Sequence, residues 1–200
     1  MADPAKTYLQ ATDGPLRQGE VITGLVEPRV VIEAVPVLFG DSGDIQVDVR
    51  RHPIAAVMTQ DCDLEGDFRA RSEEPPNEKK MLPSVLLCEV HELEALRPNV
   101  MLLGINAKRW KLLRQNHEPR FHHLQAVPQE LDREAEGLPA MGLDFNRFFT
   151  LPTGLVYAQL KDGARRRFRM HSPYFEHVTT RFFAYQSRIA VPEQHEVEDD

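Results

Sequence analysis

The stretch from residue 53 to residue 63, PIAAVMTQDCD, does most to decide the fold, because a continuous apolar run ends abruptly in polar residues. A short apolar run of this kind is typical of a central strand that is buried on both faces. Polar groups at the end of a rigid strand are well placed for binding or catalysis. The stretch therefore predicts a buried strand that delivers the trio Asp61-Cys62-Asp63 to a cleft.

Further strand patterns lie on both sides of this run. They are β-branched or apolar segments, or segments that alternate apolar and polar residues, and several are bounded by glycine and proline. Both patterns are typical of strands. Strands are predicted at 20–26, 29–39, 45–49, 84–90 and 121–127, and residues 141–151 are predicted as either a strand or a loop.

Turn and loop signals separate these segments. The dipeptide Asp162-Gly163 favours a tight type I′ turn and predicts a hairpin between residues 155–161 and 164–170. Residues 65–80 are polar and contain a Pro-Pro pair, which predicts an exposed loop.

Two helices are predicted from their capping residues. Asn106 can cap a short helix over 107–116. Ser172 and Pro173 are favoured at a helix start, and an apolar stripe at three- and four-residue spacing follows up to Pro192. The stripe consists of Phe175, Val178, Phe182, Tyr185 and Ile189.

Several short strands and a terminal amphipathic helix predict an α+β protein, in which a small curled sheet or compact barrel carries helices on its outside. The chain has 200 residues, which suits one sizeable core. We expect an N-terminal arm at 1–18, a single globular domain at 19–192, and an acidic, disordered tail at 193–200.

The composition favours a cytoplasmic protein with no membrane partner. The N-terminal sequence MADPAKTYLQ lacks the apolar stretch of a signal peptide, and the longest apolar runs fall short of a membrane span. Only two cysteines occur, which fits a reducing compartment.

The net charge of −7 is unevenly distributed. Five acids and no Lys or Arg lie in 193–200, whereas the segments 108–120 and 161–188 are rich in basic residues. Because the local potential governs binding, these segments are compatible with an anionic partner such as a nucleic acid. The alternative is that their arginines face water or pair with nearby carboxylates.

Carboxylates and histidines are the first candidates for chemistry. Asp61 and Asp63 can bind a divalent cation or divide acid and base roles, or they can merely cap backbone N–H groups at a turn. His122 and His123 are candidates for a general acid or base. Because strand side chains alternate, we expect these two histidines to point to opposite faces, so that only one of them faces a cleft.

Arginines are the second group of candidates. Alternation along the strand at 165–169 places Arg165, Arg167 and Arg169 on one face, where guanidinium groups can contact phosphates. The same residues can instead protect an edge strand from aggregation. The sequence contains no P-loop, GxGxxG, GxSxG or HExxH motif, and it predicts no cofactor and no metal site.

In the order of its elements the chain resembles the MazF/PemK family of bacterial toxins. The similar parts are Gly19-Glu20-Val21-Ile22, the basic entry Arg50-Arg51-His52-Pro53 with the apolar strand after it, and the strand at 84–90. The chain is also similar to uncharacterised bacterial proteins. The first resemblance implies an SH3-like β-barrel with peripheral helices, a homodimer, and RNA cleavage without a metal.

On this hypothesis the protein is a toxin-like or defence-associated bacterial module that binds an anionic partner, RNA among the candidates. Arg51 and Arg120 would then contact phosphate or the transition state, while Asp61 and Asp63 orient a catalytic histidine. One alternative is a non-enzymatic module that docks another protein through its C-terminal helix and basic hairpin. A second alternative is a metal-dependent hydrolase that uses the two aspartates.

Overall fold

The computed structural model describes residues 3–31, 46–102 and 106–188, which form an α+β structure on one seven-stranded sheet. The α+β class is therefore confirmed. The strands are β1 (Tyr8–Gln10), β2 (Glu20–Val31), β3 (Gln46–Val57), β4 (Ser84–Glu92), β5 (Phe121–Leu124), β6 (Met141–Pro152) and β7 (Arg165–Met170). The helices are α1 (Pro4–Thr7), α2 (Asp61–Ser72), α3 (Leu93–Leu102), α4 (Ala107–Arg114), α5 (Thr153–Lys161) and α6 (Tyr174–Gln186).

The sheet is antiparallel throughout, in the order β1-β7-β2-β3-β4-β6-β5. The predicted strands at 20–26 and 84–90 are present, and residues 141–151 form a strand and not a loop. The segments predicted at 45–49 and 53–59 belong to the single strand β3, which ends at Val57, and the strand predicted at 121–127 ends at Leu124. The strand predicted at 29–39 is described only as far as Val31, where β2 ends. As predicted, the apolar run of β3 is central and buried.

Neighbouring residues of the central strands point to opposite faces, and both faces are covered. On one face Val21 and Ala56 pack with Val178 and Phe182 of α6. On the other, apolar residues of the same strands pack against α2 and α5 through Leu64 and Val156. The core is therefore a sheet between helices, which is why the apolar run of β3 is continuous.

The loop predicted at 65–80 is wrong for its first half, because α2 extends to Ser72. Its buried residues are Leu64, Asp67 and Ala70. Asp67 accepts hydrogen bonds from the backbone N–H of Leu82 at 2.8 Å and from Arg71 at 2.8 Å. A carboxylate thus occupies a core-facing position of the helix. The sequence of α2 therefore lacks the regular spacing of apolar residues by which a helix is predicted.

The hairpin predicted around Asp162-Gly163 is also wrong, because residues 153–161 form α5 and only the second segment is a strand. Asp162 and Gly163 end a helix here, and the backbone N–H of Ala164 donates to the carbonyl of Gln159 at 2.8 Å. Gly163 has φ +134°, a conformation that suits glycine after a helix. Strand β7 pairs with β1 and β2.

The two predicted helix starts differ in outcome. Asn106 caps α4 as predicted, and its side chain accepts from the backbone N–H of Arg109 at 3.1 Å. Helix α6 begins at Tyr174, and the hydroxyl of Ser172 donates to Glu176 and does not cap the helix. Ile189, Pro192 and the tail at 193–200 lie outside the described residues.

Two hydrogen bonds link segments at the two ends of the sheet. Tyr8 on β1 donates a hydrogen bond to the carbonyl of Gln125, just after β5, at 3.0 Å. The backbone N–H of Arg133 donates to the carbonyl of Arg167 on β7 at 2.8 Å. We call this junction the seam. Part of the segment predicted as an N-terminal arm, Pro4–Gln10, therefore belongs to the sheet edge.

A buried ion pair holds the seam together. Asp132 is fully buried and accepts two hydrogen bonds from the Arg167 guanidinium, at 2.8 and 2.7 Å. It also accepts from the backbone N–H groups of Glu134, Glu136 and Gly137.

Over the described ranges, no helix is long and apolar enough to cross a membrane.

Candidate functional site

A cavity of about 570 Å³ lies at the seam, between the edge strands β1 and β5. Helix α4 supplies one wall, and helix α6 supplies another. A concave site of this volume, lined by apolar and polar groups, is the usual setting for a bound ligand. Its lining includes Tyr8, Trp110, Lys111, Arg114, His122, His123, Tyr174 and His177.

Cations and histidines line this cavity, and none of its described lining residues is an Asp or Glu. Lys111 and Arg114 are exposed on α4, and neither is paired with a carboxylate in the part of the chain that the structure describes. Arg109, on the same helix, contrasts with them because it binds the buried Glu118 at 2.9 Å. The cavity is thus positively charged in a protein whose net charge is negative.

His122 is buried at the cavity wall and is oriented by Arg181 of α6. The Arg181 guanidinium donates to Nδ1 of His122 at 2.8 Å and to the carbonyls of Glu118 and Phe121, at 2.5 and 3.2 Å. Since Nδ1 accepts this bond, the neutral ring carries its proton on Nε2. The ring centroid of His177 lies 5.4 Å from that of His122.

The backbone of His123 is fixed by Asn116 in the turn between α4 and β5. The Asn116 side chain accepts from the N–H of His123 at 2.6 Å and donates to its carbonyl at 3.1 Å. Asn116 has φ +58°, a left-handed conformation that asparagine tolerates better than most residues. These two hydrogen bonds connect the end of α4, the helix that carries Lys111 and Arg114, to strand β5, which carries His122 and His123.

The three histidines of the cavity are all biased toward the neutral form. Burial, and secondly the charge of Arg181, lowers the pKa of His122 well below its ordinary value. Burial, and secondly Arg114, lowers the pKa of His123. Burial and then Arg181 also lower the pKa of His177. At neutral pH the rings can therefore exchange protons, and an anion placed among them would favour protonation.

Aromatic side chains complete the walls. Trp110 is half-buried and is the single tryptophan of the chain. Tyr174 lies at the start of α6 and is also half-buried. Tyr8 is fully buried, its hydroxyl is held by Gln125, and burial raises its pKa, so it remains a neutral wall residue. The combination can hold an anionic group next to a flat ring.

The structure brings the two predicted histidines, His122 and His123, into this same cavity. The expectation that only one of them faces a cleft is therefore wrong. Strand β5 is an edge strand, and the cavity wraps around that edge, so side chains of either orientation border it.

Asp61 and Asp63 do not meet the histidines. Asp61 lies in the first turn of α2, where it pairs with Arg17 and accepts from the backbone N–H of Gln18 at 2.8 Å. It borders a separate depression of about 450 Å³ next to Phe175 and Thr179, on another side of α6. Asp63 is exposed. Within the described ranges, no group of three or more His, Cys, Asp or Glu is arranged to hold a metal ion.

The predicted phosphate contacts Arg51 and Arg120 lie outside the cavity as well. Arg120 forms a two-pronged ion pair with Asp144, at 2.7 and 2.6 Å. Arg51 is exposed on β3 and makes no ion pair with any residue that the structure describes.

The arginines of β7 face carboxylates. Arg167 is buried against Asp132, Arg165 lies 3.8 Å from Glu134, and Arg169 lies 3.6 Å from Asp61. Pairing with carboxylates was the alternative interpretation of the basic segment 161–188, and it holds for these three side chains.

Sequence reasoning did not single out Trp110, Lys111, Arg114, His177 or Arg181 as site residues. The first three lie in the basic segment 108–120, but nothing local distinguishes them from the paired Arg109. His177 and Arg181 are four residues apart, and a helix places such residues on one face. That spacing was a usable signal, whereas the pairing state of the cations was not.

No family model matches this chain, and no curated protein or solved structure is significantly similar to it. The chemistry of the cavity therefore has to be argued from its own residues.

Proposed function

We propose that this protein binds RNA through the seam cavity, as a toxin-like or defence-associated cytoplasmic module of a bacterium. One observation carries the proposal. The cavity contains two cations, Lys111 and Arg114, that have no carboxylate partner among the described residues, beside three histidines and two half-buried aromatic rings.

Each part of a nucleotide finds a suitable group in the cavity. Arginine binds phosphate with two parallel hydrogen bonds, and lysine contributes a point charge. Trp110 and Tyr174 offer ring faces, and stacking of one base on an aromatic side chain contributes about 1–3 kcal/mol. A volume of about 570 Å³ is sufficient for one nucleotide.

The histidines add a candidate chemistry, RNA cleavage without a metal. A neutral ring takes the proton of a 2′-hydroxyl, the 2′-oxygen attacks phosphorus, and a protonated ring donates to the leaving 5′-oxygen. His123 and His177 both line the cavity and are the candidates for these two roles. His122 cannot take a proton while its Nδ1 accepts from Arg181 and its Nε2 carries the ring proton, so it serves as a hydrogen-bond donor to the phosphate. The bond from Arg181 holds His122 in a single orientation.

We also propose a more specific fold than the α+β class, an SH3-like barrel related to the MazF/PemK toxins. The seam supports it, because Tyr8 and Arg133 bridge the two ends of a sheet that would otherwise be open. A homodimer is part of this hypothesis.

The first experiment is a binding titration that uses the intrinsic fluorescence of Trp110, the single tryptophan. We expect short single-stranded RNA to change this signal at micromolar concentrations. Lys111→Ala and Arg114→Ala should each weaken binding about 10-fold, the effect of losing a charge-assisted hydrogen bond. Lys79→Ala, which removes an exposed lysine elsewhere, is the matched control and should have no effect.

Two results would contradict the proposal. Absence of binding to any RNA would remove it and favour the protein-interaction module. Loss of binding in Arg51→Ala, but not in the α4 variants, would move the site to the strand entry on which the family resemblance depends. Incubation of RNA with and without a chelator separates metal-free cleavage from metal-dependent hydrolysis.

A further inference from the structure

We propose that the site binds two linked nucleotides of a single strand, with the connecting phosphodiester between Arg114 and His123 and the second base in an adjoining depression. This inference rests on the proposed function, since it names the length and charge of the preferred ligand.

The adjoining depression has a volume of about 340 Å³ and lies next to the cavity. The two share four lining residues, Trp110, Arg114, His123 and Gln125. Beyond them the outer depression is bordered by Leu93, Glu94, Ala126 and Ala140. The shared residues therefore form a boundary between an inner and an outer compartment.

The charges at this boundary determine what can lie across it. Arg114 and His123 each line both compartments, so both can approach a single anion placed at the boundary. Trp110 borders both compartments and can support a flat group in either. A ligand with one central negative charge and a flat group on each side satisfies all three residues.

The outer compartment disfavours a second phosphate. Glu94 is its only acidic lining residue among those described, its side chain is 82% exposed, and Arg97 lies only at the limit of ion-pair distance, 3.9 Å away. A carboxylate here repels an additional anion, whereas Leu93 and the two alanines present apolar surface. The preferred ligand is therefore a dinucleoside monophosphate unit, and a nucleoside triphosphate is disfavoured.

The experiment compares a 5′-mononucleotide with the corresponding dinucleoside monophosphate, UMP with UpU and AMP with ApA, on the full chain by calorimetry. We expect the dinucleoside to bind about 10-fold more tightly, the contribution of one additional stacked base. This order is diagnostic, because the mononucleotide carries the larger negative charge and would bind better if charge alone decided.

Ala126→Phe fills the outer depression from an exposed position. It should remove the advantage of the dinucleoside and leave the affinity for the mononucleotide unchanged. Ala184→Phe, at an exposed position on α6 that borders neither compartment, is the control and should preserve the advantage.

The outcomes separate this inference from the function on which it rests. If neither ligand binds, the proposed function fails. If the mononucleotide binds but the dinucleoside is no better, or if Ala126→Phe does not change their ratio, the two-compartment site is overturned and nucleotide binding remains.

Discussion

At the scale of single residues, His122 has the most specific environment in the candidate site. It is 4% exposed, and Arg181 donates to its Nδ1 at 2.8 Å. A protonated ring there would lose this hydrogen bond and would face a neighbouring cation. Burial and the charge of Arg181 both lower its pKa, so the folded state keeps the ring neutral.

This environment predicts a loss of stability in mild acid. An unfolded histidine has a pKa of about 6.5, and the folded value of His122 is lower. Below pH 6.5 the unfolded chain therefore binds a proton that the folded chain does not, and stability falls as the pH falls. Between pH 7.5 and 5.5 the contribution of this one group should decrease by up to about 1.4 kcal/mol, the limit for a ring that stays neutral in the folded state.

His122→Asn tests this point, because its amide oxygen can still accept from Arg181 but does not titrate. Urea unfolding at the two pH values should give a decrease up to about 1.4 kcal/mol smaller in the variant than in the natural chain. His123 and His177 titrate in both proteins and cancel in the comparison. An equal decrease in both proteins would mean that the folded state protonates His122 as readily as the unfolded state.

The sequence identified His122 and His123 as candidates from residue type alone, and the structure places both in one cavity. It did not identify the partners of the candidate arginines and aspartates. Asp61 and Arg169, predicted to serve different roles, lie 3.6 Å apart, and Arg120 pairs with Asp144. Which cation meets which carboxylate is decided by strand order, and no local pattern encodes strand order.

At the scale of elements, strands were predictable where apolar residues were unbroken or alternated strictly. Two of the helices that were not predicted, α2 and α5, break their own apolar pattern. In α2 the buried face includes Asp67, whose carboxylate binds the backbone of Leu82. In α5 the Gln159 side chain makes two hydrogen bonds with the backbone of Val26, at 2.8 and 2.7 Å. These polar contacts with distant segments replace part of the apolar stripe that sequence reasoning requires.

The seam is the element-scale feature with the clearest energetic consequence. Burial alone would raise the pKa of Asp132, but the Arg167 guanidinium and the backbone N–H groups of Glu134 and Glu136 outweigh this and lower it. The carboxylate is therefore charged and fully bonded. Removing one partner of a buried ion pair leaves the other charge without compensation and costs about 3–5 kcal/mol.

We therefore expect Asp132→Ala to lower the free energy of unfolding by about 3–5 kcal/mol. Glu136→Ala is a matched control, because Glu136 also pairs with Arg167, at 3.0 Å, but its side chain is 70% exposed. An exposed pair contributes at most about 1 kcal/mol. Chemical denaturation of the two variants should show this contrast, and equal losses would mean that the buried pair does not hold the seam.

At the scale of the whole molecule, the candidate site is assembled from segments at both ends of the sheet. Its residues come from β1, from α4 with β5, and from α6. About a hundred residues separate β1 from α4, and about half that number separate β5 from α6. Tyr8 and Gln125 are 117 positions apart in the chain and hydrogen bonded in the fold. A sequence can show a basic segment, but it cannot show that this segment closes a cavity with both ends of the sheet.

The charge distribution leads to the last prediction, which concerns salt. The chain has a net charge of −7, so its overall field repels RNA, and attraction has to come from the local charges of Lys111 and Arg114. For single strands the logarithm of the binding constant falls with the logarithm of salt concentration, with a slope of about −0.7 for each neutralised phosphate. Two contacts, from Lys111 and Arg114, predict a slope of about −1.4. Arg114→Ala should make the slope shallower by about 0.7, whereas Lys79→Ala should leave it unchanged. The slope is measured by Trp110 fluorescence at salt concentrations from about 50 to about 300 mM. A slope near zero in the natural chain would show that the phosphates are not neutralised in this cavity, and an unchanged slope in Arg114→Ala would assign them to other cations.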